Sequence, residues 1–221
     1  MLVFLDVLAR NWLFLLKALG MTVALSAMSM ALGVALGVLV GVVRTYGGRV
    51  ADVALGFYVD TMRSIPVLVI LVWCYFALPL LIGQSMPPLV AATLALGVHL
   101  AAYVAETVRA GLTSVRPGQM RAALALGMSS FQAIRKVILP QAVVRMLPPL
   151  GSLLVIAVKD SAIASVIAVP ELIRQTQVLV SNTYLSFQLY SFTMIVFFLL
   201  CYPVAGLVDR LYRRVAFLGA S

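Results

Sequence analysis

The chain has 221 residues, 63% hydrophobic and only 10% charged, with a mean hydropathy of +1.11 and a net charge of +9. That leaves too little polar surface to cover a water-soluble core, and the apolar residues run in long continuous stretches rather than alternating, which excludes a β-barrel and predicts an all-α membrane protein. The positive charge belongs to membrane loops; no basic stretch is interleaved with stacking aromatics, so nucleic acid is excluded as a partner.

In chain order, five apolar stretches predict about five transmembrane helices of roughly 20 or more residues each. They run from about Leu13 to Val43, Leu55 to Ile82, Leu89 to Val108, Leu147 to Val169 and Leu189 to Val208. The start is not a signal peptide: the apolar run after Asp6 and Arg10 is far longer than a signal core, and no cleavage site with a polar mature start follows. The first stretch carries Gly33, Gly37 and Gly41, with Thr22, Ser26 and Ser29 on roughly the same face. This small-residue stripe predicts close approach of another helix, and packing within the chain is favoured over a dimer seam. Cys74 and Cys201 lie inside apolar runs and read as small hydrophobes.

The connectors differ in charge. Arg44 and Arg49 lie in the first, and none in the second, Gly83 to Pro88. The third, about 109–147, holds Arg109, Arg116, Arg121, Arg135, Lys136 and Arg145 and no acidic residue. The end of the chain has Arg210, Arg213 and Arg214 against Asp209. The bias of Lys and Arg toward the cytoplasm places the first and third connectors and the C-terminus inside and the N-terminus outside, with Arg10 and Lys17 outvoted. The expected organisation is a single transmembrane domain over 13–210, an extracytoplasmic segment at 1–12 and a cytoplasmic tail at 211–221.

The third connector reads R-P-G-Q-M-R-A-A-L-A-L-G-M-S-S-F-Q-A-I-R-K-V-I-L-P from Arg116 to Pro140. Pro117-Gly118 marks a helix start, and Met120 to Leu126 is rich in helix formers. Gly127 suits a left-handed helix end, Ser129 or Ser130 can cap the next helix, and Pro140 with Pro148-Pro149 punctuates the return to the membrane. A short helix with small exposed residues is expected across the cytoplasmic face.

This pattern resembles the EAA loop of the permease subunits of bacterial ATP-binding-cassette (ABC) importers. Arg63-Ser64-Ile65-Pro66, the run Ala101 to Glu106 with Arg109-Ala110-Gly111, and Lys159-Asp160-Ser161 are similar to segments of the polar amino-acid branch, in the same order. The wording leans toward the acidic (glutamate and aspartate) permeases. The resemblance implies a type I importer transmembrane domain whose coupling loop docks on a separate ATPase. Gly118, Ala122, Ala123, Leu126, Gly127, Leu139 and Pro140 carry over to that loop, whereas Arg121 stands where the family usually has an acidic residue. It also implies half of a translocation path working by alternating access, a second permease subunit (the same or a related chain), two ATPase subunits, and an extracytoplasmic amino-acid-binding protein in the bacterial inner membrane. The chain has no G-x-x-x-x-G-K-[ST] loop. It is therefore expected to be a transport subunit rather than an enzyme, with no metal or cofactor of its own, ATP and Mg being bound by the ATPase.

Six polar residues in or beside the spans are candidates for the substrate path. His99, Tyr103 and Glu106 share one helix face, the first and last within about 20° around the axis. Ionisable groups in a membrane face a cavity or a partner. They could line the path; equally, Glu106 could pair with Arg109 and His99 could bond a neighbouring helix. Lys159 and Asp160 could contact the charged ends of an amino acid, or form an inter-helix salt bridge to Arg63 or Asp60. Arg63 itself could belong to a kinked helix at Ile65-Pro66. An ion-coupled secondary transporter is the alternative these charges allow, though no inverted repeat is evident.

Overall fold

The structure is a computed structural model and describes residues 2–215. Eight helices account for nearly all of the described chain: α1 Leu2–Tyr46, α2 Gly48–Ser64, α3 Val67–Ile82, α4 Pro88–Thr113, α5 Pro117–Ala125, α6 Ser130–Ile167, α7 Leu172–Thr183 and α8 Ser186–Val215. Four of them (α1, α4, α6 and α8) are long and apolar enough to cross a membrane. The pair α2 and α3 supplies a fifth crossing if counted as one broken span.

Helix α1 is 45 residues long, about 67 Å at 1.5 Å per residue, or twice the hydrocarbon thickness. It starts well before Leu13 and runs through residues 2–12, where Phe4, Val7 and Leu8 pack with α7 and the start of α8 around Leu172, Leu179 and Leu189. The other end of α1 runs parallel to α4, and the glycine stripe makes that possible. A Cβ at Gly33, Gly37 or Gly41 would lie 2.9, 2.5 or 2.7 Å from the Cβ of Leu100, Val104 or Val108. Thr22, Ser26 and Ser29 are buried beside it. The stripe therefore packs within the chain.

The second apolar stretch does not form one straight helix. It breaks at Ile65-Pro66 and turns by 103°. The cause is local, since Pro66 has no N–H for the carbonyl of Met62 and its ring crowds the preceding turn. Pro148 and Pro149, expected ahead of the fourth span, instead sit inside α6. Pro140 also lies inside α6, directly after the π-helical turn Ile134–Ile138, whose wider hydrogen-bond spacing accommodates a missing N–H. The last residue of the expected tail described as helix is Val215; Met1 and residues 216–221 lie outside the described residues. Helix α7 is an element that no apolar run announced.

Helix α4 is the hub. It packs on α1, α2, α3 and α6, and Ala91, Ala92, Ala95, Ala101, Ala102 and Ala105 are fully buried along it. Small side chains at these positions let four helices approach one axis.

Candidate functional site

The break at Pro66 builds one wall of the site. The carbonyl of Met62, left without its helical donor, accepts from His99 Nδ1 at 3.1 Å. A carbonyl can only accept, so Nδ1 carries a proton. The His99 ring meets Tyr103 edge to face at 5.1 Å between centroids. The guanidinium of Arg63, one residue beyond Met62, lies 5.4 Å from the centroid of the Tyr103 ring, a cation–π geometry. These three residues and Asp160 line one cavity of about 410 Å³, together with Ser64, Ile65, Pro66 and Val67. That volume lies in the range of small-molecule sites.

A second cavity of about 550 Å³ shares Arg63, Tyr103 and Leu153 with the first and continues toward Glu106, Thr107, Ser114 and Arg145. The two lie along one face of α4. Glu106 also lines this second space but is held in an ion cluster. Arg44, with its side chain only 9% exposed, donates to Glu106 at 3.0 Å and to Asp52 at 3.1 Å. Arg109 adds contacts at 3.6 Å to Glu106 and 3.7 Å to Asp52. The cluster ties α1, α2 and α4 at their common basic end. The pairing of Glu106 with Arg109 was foreseen; Arg44 and Asp52 were missed. Their signal was the placement of Arg44 at the end of one span, Asp52 at the start of the next and Glu106 with Arg109 near the end of a third, all at the same basic end.

Lys159 and Asp160 point apart, as neighbours on a helix do. Asp160 lines the cavity with Arg63 and His99, whereas Lys159 lines a groove between α6 and α8 with Gly151, Ala205 and Val208. Neither is within 4 Å of an opposite charge among the described residues. The expected salt bridges to Arg63 or Asp60 are therefore not formed. No metal-binding cluster of His, Cys, Asp and Glu occurs among the described residues.

The connector after α4 begins at Ser114, later than expected, because α4 runs on to Thr113. Helix α5 turns Ala123 inward, 3% exposed, with Met120 packed beside the cluster of Val108, Leu112 and Ile138. Its outward face carries Gly118, Arg121 and Ala122, and Leu126 follows, 79% exposed. Gly127 adopts φ +80°, the left-handed helix end expected of it. Ser129 and Gln132 then form a reciprocal capping box for α6. Leu139 and Pro140 are exposed but belong to α6 itself. Arg145 donates to the carbonyl and, at 3.2 Å, to the hydroxyl of Ser114, closing the segment at its base.

A bundle of broken and continuous spans, with a polar cavity along its hub helix and an exposed loop helix at one end, defines a membrane transport subunit. The family of binding-protein-dependent transport system inner membrane components matches residues 33–217. The chain belongs to this family, and is thus the membrane permease subunit of an ABC importer rather than a catalyst. It is 34% identical over 205 residues to the glutamine transport system permease protein GlnP of Escherichia coli (strain K12), covering 92% of this chain and 94% of that protein. It is 32% identical to the probable amino-acid ABC transporter permease protein YckA of Bacillus subtilis (strain 168), over 92% and 89% of the two chains. The fold matches the crystal structure of an amino acid ABC transporter with histidines at a TM-score of 0.88 and 32% identity, covering 96% and 98% of the chains. An inward-facing structure of the MetNI methionine ABC transporter matches at 0.78 and 25% identity, covering 93% and 98%. The family implies an ATPase and a substrate-binding protein as partners, and a multi-pass location in the inner membrane. It removes the ion-coupled alternative.

Proposed function

We propose that the cavity between Arg63, His99, Tyr103 and Asp160 is this subunit's share of the translocation path of an amino-acid importer, and that the outward face of α5 engages the ATPase. The observation that carries the reading is one cation and one carboxylate, Arg63 and Asp160, neither ion-paired among the described residues, lining one cavity beside a broken span. An ionisable group within a membrane helix costs a few kcal/mol unless water, a partner or a ligand meets it. A zwitterion supplies both complements at once: its carboxylate suits Arg63 and its ammonium suits Asp160. Balanced charge favours an uncharged polar side chain, in line with the glutamine permeases among the relatives. A glutamate or aspartate would bring a second carboxylate to a cavity whose lining holds Arg63 as its one Lys or Arg among the described residues, so the acidic lean is not carried further.

The importer is completed by a second permease subunit, two ATPase subunits that bind ATP and Mg, and an extracytoplasmic binding protein. ATP-driven closure moves the α5 segment, and the spans alternate between inward- and outward-facing. The Lys and Arg bias supports an N-terminus outside and a C-terminus inside, with the α5 segment in the cytoplasm. In proteoliposomes holding the assembled complex, His99→Ala and Asp160→Asn are expected to lower amino-acid uptake and substrate-stimulated ATP hydrolysis by about tenfold, of order the loss of one charge-assisted hydrogen bond. Unchanged rates together with unchanged competition by glutamine and glutamate would sink the assignment.

A further inference from the structure

The exposed face of the loop helix has one sign of charge only. Between Glu106 and Asp160 the chain contains no acidic residue, and the segment from Arg116 to Lys136 holds Arg116, Arg121, Arg135 and Lys136, all exposed. None of the four has a carboxylate within 4 Å among the described residues. Around them stand Leu124, Leu126 and Phe131, 43%, 79% and 70% exposed, which the bundle leaves uncovered. Ala123 and Ala133 anchor the segment from behind, at 3% and 0% exposure. The basic and apolar side chains therefore point away from the spans.

From this arrangement we infer that the ATPase surface receiving α5 is acidic, with at least one carboxylate opposite Arg121. Arg121 sits on the same outward face as Gly118, Ala122 and Ala125, whose small side chains let a partner's groove close over the helix backbone. A Cβ at Gly118 would meet nothing within 4 Å, so that space is open to the partner. A guanidinium brought into such a groove loses water on several sides, and only a paired acceptor offsets this. The apolar side chains at the rim bury against the groove wall, and the charges set register and partner choice. An anionic lipid surface is the other acceptor of basic and apolar side chains. It is disfavoured because the contact face is built of glycine and alanine, which fit a groove but contribute little to insertion. The inference rests on the docking role proposed above and adds the sign of the partner's charge.

The test uses the full-length permease in nanodiscs with its cognate ATPase, and reads ATPase binding and coupled ATP hydrolysis from about 50 to about 500 mM salt, which collapses the screening length. Arg121→Glu is expected to weaken ATPase binding about tenfold or more at low salt, Arg121→Lys to stay within about threefold, and Arg121→Gln to flatten the salt dependence. Unchanged or tighter binding by Arg121→Glu overturns the inference. So does a loss confined to binding of the isolated permease to phosphatidylglycerol vesicles, which would assign Arg121 to lipid. Gly127→Trp is the companion variant. If it blocks assembly while the Arg121 series has no effect, docking stands and the acidic groove falls; if it too assembles and couples normally, the docking role falls as well.

Discussion

Single residues carry close packing in this chain, and Gly37 is the tightest of the three glycines that face α4. A Cβ there would lie 2.5 Å from Val104 Cβ and 2.7 Å from the carbonyl oxygen of Ala101. The nearer neighbours are backbone and a β-branched carbon, which cannot swing aside. Gly37→Ala must push α1 off α4 and is expected to destabilise the fold by about 1–3 kcal/mol, the usual cost of overpacking. Gly20→Ala on the same helix meets nothing within 4 Å, and is expected to be neutral or slightly stabilising, since alanine is the better helix former. Thermal unfolding of the two variants in the same detergent checks this. Equal melting temperatures would mean the α1–α4 contact is looser than described.

At the level of elements, α7 shows what the apolar runs concealed. It is capped by Glu171, a fully buried residue whose carboxylate oxygens accept from the backbone N–H groups of Ile173 at 2.8 Å and Arg174 at 2.7 Å. The next N–H, of Leu172, donates to Thr22 of α1 at 3.1 Å. Glu171 lies between the last two long spans and outside both. Burial pushes its carboxyl from the ordinary 4.5 up to about 7, against the opposing pull of the two N–H donors. A raised carboxyl pKa makes the folded chain hold a proton that the unfolded chain has released. Its contribution to stability is thus full below about 4.5 and is lost as pH rises through about 7. Melting temperatures measured between pH 5 and pH 8 are expected to fall with pH by more in the native chain than in Glu171→Gln; parallel profiles would refute this. The element was hard to read because it is short and amphipathic, although Leu172, Thr176 and Leu179 mark its buried face. The long spans were legible from length and hydropathy alone. The bend at Pro66 was legible only as a kink; its 103° angle, and the bond from His99 to the carbonyl that Pro66 cannot serve, belong to tertiary packing. The loop was legible at Gly127 and Ser129, where backbone chemistry is local. Asp160 and Lys159 were not, because what they face is decided by the packing of α6 against α4 and α8.

For the whole molecule, the question is how motion at the loop reaches the cavity. Helix α5 hangs between the end of α4 and the start of α6, and Arg145, well inside α6, fastens that helix to the end of α4. Its guanidinium donates to the carbonyl and hydroxyl of Ser114, the residue that ends α4. Ser114 and Arg145 also line the cavity that continues, past Tyr103 and Arg63, to the space beside Asp160. On the docking role proposed above, a displacement of α5 would be passed to α4 and α6 together, the helices that carry His99 and Asp160. Removing the fastening frees the segment to move without the spans. Ser114 lies at a helix end with access to water, so loss of the contact to Ser114 is expected to cost the fold about 1 kcal/mol. The cost to coupling is larger: a change of 0.5–2 kcal/mol along such a connection corresponds to roughly twofold to thirtyfold. In reconstituted complexes, Arg145→Ala is expected to keep ATP hydrolysis within about twofold while amino-acid uptake per ATP falls about tenfold, with Arg145→Lys restoring part of it. Loss of both activities in parallel would mean that Arg145 holds the fold rather than the coupling. Unchanged uptake per ATP would mean that α4 and α6 receive the motion by a route that does not pass through Ser114.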